Sequence, residues 1–150
     1  MANSQAVATS FKTEVLNGIH ALGTTVTRGG TGADTFKAAL YVATGSIGAS
    51  TTAYSATNEV SGTNYTAGGA TFTWAAPASS GTTAYTTPSA SISWTTVTLA
   101  TSFDCVLLYN STQSNRAVAS YTFGATTVTA GNFTLTMPTN DASTGLLRLS

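Results

Sequence analysis

From Phe36 onward, hydrophobic and polar positions alternate along the chain. Phe36, Ala38, Leu40 and Val42 share one parity of a run over 36–43. Ala70, Phe72 and Trp74 alternate with threonines, and Ile92 and Trp94 open a third run. A period of two is the mark of a strand with one buried face. The third run changes parity at Val97 and Leu99, which predicts a bulge. Residues 103–109 are apolar on both parities apart from Asp104, as expected of a central strand covered on both sides. Runs over 117–123, 133–137 and 146–149 bring the total to about seven or eight short strands.

The N-terminal part reads differently. Residues 1–9 are small and polar without periodicity and suggest an extended arm. Phe11, Val15, Ile19 and Leu22 recur near the helical spacing and predict a helix over 10–22. Ser10 would be its N-cap, Glu14 would lie in the first turn, and Gly23 would stop it. Gly18 inside such a helix costs about 1 kcal/mol relative to alanine, so this helix would depend on docking. Turn signals fall at 28–32, 68–69, 79–81, 110–115, 129–132 and 140–143. Residues 45–69 form the longest irregular stretch, and loops of more than about 15 residues usually have a role. The pattern predicts an all-β protein, an antiparallel β-sandwich or jelly roll with one short N-terminal helix, as a single domain over 10–150 behind an arm at 1–9.

Composition sharpens this. Of the 150 residues 7% are charged, the formal net charge is zero, and about a fifth of the chain is threonine. Ordinary soluble domains carry about 25% charged residues, and a chain near zero charge has little repulsion to keep copies apart. Lys12, Lys37, Arg28, Arg116 and Arg148 are scattered singly, so no basic stripe suits a phosphate backbone and nucleic acid is not the expected partner. No apolar run approaches the ~20 residues of a membrane helix. The start lacks a basic n-region and an apolar h-region, and reads as the native start of a protein made in the cytoplasm. Cys105 is alone in an apolar strand and reads as core filling.

Few groups could do chemistry. The carboxylates are Glu14, Asp34, Glu59, Asp104 and Asp141. Asp34 and Asp141 lie in turn-like sequence where aspartate bonds its own backbone, while Glu59 and Asp104 have no evident structural task. His20 is the one histidine, which leaves no multi-histidine metal site and little for a hydrolytic triad. The glycine-rich run from Thr27 to Gly32 lacks the Gly-Lys-Ser/Thr of a phosphate loop and leads into no βαβ unit. Tyr54, Tyr65 and Tyr85 are loop-borne aromatics, the candidates for stacking on a sugar. No enzymatic activity, cofactor, metal or small-molecule substrate is expected.

Several segments carry a resemblance. They are Phe11-Lys12-Thr13-Glu14-Val15-Leu16-Asn17-Gly18-Ile19-His20, Phe36-Lys37-Ala38-Ala39-Leu40-Tyr41, and Thr52 to Gly62 running on to Tyr65-Thr66-Ala67-Gly68-Gly69. Leu108-Tyr109-Asn110-Ser111 and Val128-Thr129-Ala130-Gly131-Asn132-Phe133 follow. Together they span most of the chain, and Asn58-Glu59-Val60-Ser61-Gly62 with Tyr65 to Gly69 is the most specific part. They resemble small structural proteins of tailed bacteriophages, in particular capsid decoration (cement) proteins. The resemblance implies a virion protein on the outer capsid surface, made in the bacterial cytoplasm. Its partners would be the major capsid protein and other copies of itself, as a homodimer or homotrimer. The arm, the helix and the loop at 45–69 would supply the contacts, with Phe11, Val15, His20, Tyr54, Glu59 and Tyr65 as interface residues. Glu59 would be a polar anchor bonding backbone amides or an arginine. A tail or head–tail connector protein and a carbohydrate-binding β-sandwich module remain as alternatives.

Overall fold

Ala38, Ala39, Leu40 and Tyr41 have no exposed surface on either face, so their strand lies inside a sheet. The computed structural model describes residues 2–23 and 32–150. In chain order β1 is Ala6–Val7, α1 Thr9–Leu16, β2 Phe36–Val42, β3 Ala70–Phe72, β4 Ala78–Ser80, β5 Thr83–Thr86, β6 Ile92–Asn110, β7 Arg116–Leu135 and β8 Leu147–Leu149. One sheet has the order β1-β7-β6-β2-β3 and the other β4-β5-β8, and every pairing is antiparallel. The fold is all-β with two sheets and one short helix, as the alternation predicts. No helix among the described residues is long and apolar enough to cross a membrane. The glycine-rich run at 27–31 lies outside the described residues.

The central pair departs from the expected set of short strands. β6 has 19 residues and β7 has 20, paired from Ile92↔Leu135 to Asn110↔Arg116. The register shifts between Trp94 and Val97, where the change of parity predicts a bulge, and it shifts again before Leu99 and Phe103. The turn expected at 129–132 is absorbed within β7. Thr96 and Ala130 take positive φ of 53° and 45°. The Ala130 N–H donates to Thr98 Oγ1 at 3.0 Å, and the Thr96 N–H donates to Asn132 Oδ1 at 2.9 Å. These irregularities bend the ribbon back on itself. The rings of Phe123 and Phe133 lie 5.2 Å apart, although ten residues of straight strand would span about 33 Å. Phe103 packs between them at 5.9 and 4.9 Å, and is fully buried. One hairpin thus supplies two halves that share a core.

The N-terminal segment is docked on its own chain rather than extended from it. Ala6 and Val7 pair with Ser120 and Ala119. The N–H groups of Ser4, Ala8 and Thr9 donate to Ile47, Val118 and Ala49. Asn3 Nδ2 donates to the Val42 carbonyl and to Asp104 Oδ1, and its Oδ1 accepts from the Ile47 N–H. Asp104, which has no evident task in the sequence, is this anchor.

The helix is shorter than the spacing predicts and ends at Leu16. Gly18 adopts φ of +65°, its N–H donates to the Val15 carbonyl, and the Ile19 N–H donates to that of Glu14. This paired pattern is a Schellman stop, for which glycine is suited because it has no Cβ to clash in the left-handed region. Gly18, counted as a cost inside a helix over 10–22, is therefore the terminator. Ser10 is not the N-cap. That position is Ala8, with no side-chain cap, and the backbone bonds of Ala8 and Thr9 to neighbouring segments serve instead. Glu14 lies in the last turn and is buried, and no acidic residue occupies the first.

Candidate functional site

Three features gather the residues with functional potential. The first closes the irregular stretch at 45–69 against the large sheet. Beyond Ala38 the outer edge of β2 has no partner in β3, and the loop takes that place. The Val60 N–H donates to Leu40 O, the Val42 N–H donates to Asn58 O, and Glu59 sits opposite Tyr41. Glu59 Oε1 accepts from the Tyr65 hydroxyl and the Gly68 N–H, both at 2.8 Å, and Oε2 accepts from the Tyr54 hydroxyl at 2.6 Å. Tyr65 Oη in turn accepts from the Leu40 N–H. Tyr109 donates to Gly68 O and Tyr41 to Ser55 O. The rings of Tyr54 and Tyr109 are stacked at 4.7 Å. Burial, with Glu59 adding to it, pushes the hydroxyl pKa values of Tyr54 and Tyr65 upward and that of Tyr109 up to about 12, so all three remain donors. Gly69 lets the chain pass: a Cβ there would overlap the Ala38 carbonyl. Glu59 is a polar anchor on a backbone amide, as expected, but among the described residues its other partners are tyrosines and none is an arginine.

The second feature is a chain of buried polar groups behind α1. His20 Nε2 lies 2.7 Å from Glu14 Oε2, and Arg116 Nη1 bonds Glu14 Oε1. Asn110 Nδ2 lies 3.0 Å from His20 Nδ1 and 2.8 Å from Asp34 Oδ2. Asp34 also accepts from the Ala21 N–H and from Gln113 Nε2. Asn110 is fully buried, and its Oδ1 accepts from the N–H groups of Thr112 and Gln113, which fixes the direction of its amide. Asn110 therefore donates to His20 Nδ1, and the imidazole proton must sit on Nε2, facing Glu14. Burial lowers the His20 pKa, outweighing the opposite pull of Glu14 and Asp34. A glutamate–histidine pair is half of a proton relay. Here both ring nitrogens are engaged and the imidazole has no exposed surface, so neither nitrogen faces a substrate. Asp34, read from sequence as a self-bonded turn residue, instead bridges three segments. Asp141 does cap its own turn, accepting from Ser143 and Thr144 N–H groups that hold its carboxyl below the usual range.

The third feature is a groove between α1 and the small sheet, with a volume near 380 Å³. Phe11, Val15 and Leu16 form one wall, and Tyr85, Leu147 and Leu149 the other. Leu16 is 88% exposed and Leu149 61%; among the described residues they are the exposed large hydrophobics. The charged groups at its margin are Lys12 and Arg148, and no carboxylate lines it. No group of three or more metal-ligating side chains is gathered among the described residues.

The six residues expected at an interface thus fall into three places. Tyr54, Glu59 and Tyr65 meet in the loop closure, His20 lies in the polar chain, and Phe11 and Val15 line the groove. Leu16 and Leu149 carry the exposed apolar surface. The sequence pattern points to neither, because each sits in an ordinary apolar run; nor does it point to Asn110, which lies among turn residues. No family model, curated protein or solved structure matches the chain.

Proposed function

We propose that this protein is a structural component that works by docking on other proteins, and more narrowly a capsid decoration (cement) protein of a tailed bacteriophage. The groove beside α1 is the observation that carries the docking role. Leu16 and Leu149 stand exposed around one concavity lined by further apolar side chains, and apolar surface gathered in a groove suits a protein-binding role. The scaffold behind it supports the same reading. Its buried ionisable groups tie segments of the chain to one another, which favours a rigid body presenting a fixed face. Few charges at that face make contacts less sensitive to salt, and many weak contacts on a lattice add through avidity. The phage assignment rests on the sequence resemblance.

Mass spectrometry of purified phage particles tests the proposal. A copy number matching the capsid lattice is expected for the wild-type chain, and loss of occupancy for Leu16→Asp. Low copy number with ring-shaped oligomers would move the protein to the head–tail junction. A lone monomer that turns over a small molecule would overturn the docking role altogether.

A further inference from the structure

The groove has apolar walls and a cationic margin, and this combination restricts what can fill it. Resting on the docking role above, we infer that its occupant is a segment of a second protein that brings large apolar side chains with a carboxylate beside them. Leu16 and Leu149 offer most of the apolar surface, with Val15 beside them and the buried Phe11 and Leu147 as the floor. Lys12 is exposed, lines the groove and makes no ion pair among the described residues. Arg148 donates to the Ser143 carbonyl and faces Asp141, so its charge is already partly balanced. Lys12 is thus the group whose charge an incoming carboxylate would complement. Glu14, on the same helix, points inward to His20 and Arg116 and does not offset it.

A second copy is the less suitable occupant. Groove-to-groove docking of identical chains is isologous, with the same patch on both sides. It would bring two sets of Lys12 and Arg148 into one interface to which the groove lining contributes no carboxylate, and uncompensated like charges act as a penalty against that pairing.

The test uses two labelled synthetic peptides of eight residues, one alternating leucine with glutamate and the other leucine with lysine, titrated against the full chain by fluorescence anisotropy at low salt. One exposed ion pair is worth up to about a fivefold change in affinity, so the glutamate peptide should bind about fivefold more tightly. Lys12→Glu should abolish or reverse that preference, and Leu16→Asp should remove binding of both peptides. Both positions are exposed, so circular dichroism should show an unchanged fold for each variant. Equal binding of the two peptides, or a preference that survives Lys12→Glu, overturns the inference. So does a dimer in light scattering that Leu16→Asp dissolves, which would give the groove to a second copy. The particle experiment keeps the two claims apart. Capsid occupancy without a peptide preference removes the carboxylate and leaves the docking role, whereas a preference without occupancy keeps the carboxylate-bearing occupant and removes the capsid assignment.

Discussion

The loop at 45–69 and the groove beside α1 treat exposed chain in opposite ways. In the loop, a stretch without regular structure is held down by Glu59, by two tyrosine hydroxyls and by backbone bonds that continue the edge of β2. In the groove, elements with regular structure leave apolar side chains uncovered. Irregularity is therefore a poor guide to where this protein leaves apolar surface uncovered. A segment closed by its own polar bonds has few groups left to offer, while a well-formed helix and edge strand can present an unfilled surface.

This contrast can be broken in order of effect. Glu59→Ala should be the most damaging, costing about 3 kcal/mol, because it strands two hydroxyl donors and one amide donor that Glu59 now satisfies; urea unfolding measures it. Acidification comes next. The His20 pKa is lowered in the folded state, so between that value and the ordinary 6.5 the unfolded chain binds more protons. Stability is then fully present above pH 6.5 and is lost as pH falls, with a slope of at most about 1.4 kcal/mol per pH unit. A proton added at Nδ1 would meet the Asn110 amide hydrogens, with Glu14, Asp34 and Arg116 as the charged groups facing the ring. His20→Gln should flatten this slope in thermal melts between pH 5 and 7. Gly18→Ala should cost about 1 kcal/mol by forcing a side chain into the left-handed region, and should show as fraying of α1 in amide exchange. Leu16→Asp should change stability by less than about 0.5 kcal/mol, as substitutions at exposed sites do, yet remove docking. If Leu16→Asp unfolded the chain while Glu59→Ala was neutral, the contrast would be inverted.

Much of the fold is legible in the sequence, for a physical reason. Alternation reports burial on one side of a strand, and it locates the start of β6 and the end of β7, while β2 and the paired residues on either side of the connection after Asn110 are buried on both faces and are found by their apolar runs. It fails at the middle of the ribbon. There exposed residues such as Ala100, Thr101 and Gly124 interrupt the pattern, and a bulged bend looks like a turn between two strands. The helix length fails because Ile19 and Leu22 keep the helical spacing after Gly18 has already reversed the backbone. The candidate site was legible only in part. Phe11 and Val15 follow from spacing, and Glu59 stands out as a charge without a task. Asn110 and Asp34 do not stand out, since their role depends on bringing together positions more than seventy residues apart, and no local pattern encodes that meeting.

The bent hairpin has a consequence for how the chain reaches its native state. Its two strands are joined by the short connection after Asn110, so the first pairs to form, Asn110↔Arg116 and Tyr109↔Ala117, close a very small loop at little entropic cost. Pairing can then advance outward one rung at a time, each step local in sequence until the bend is reached. β2 and β1, which must come from far away along the chain, would find a ready-made template instead of having to assemble one. A largely non-local β architecture can in this way begin from its most local part, which shortens the search that usually makes such topologies slow.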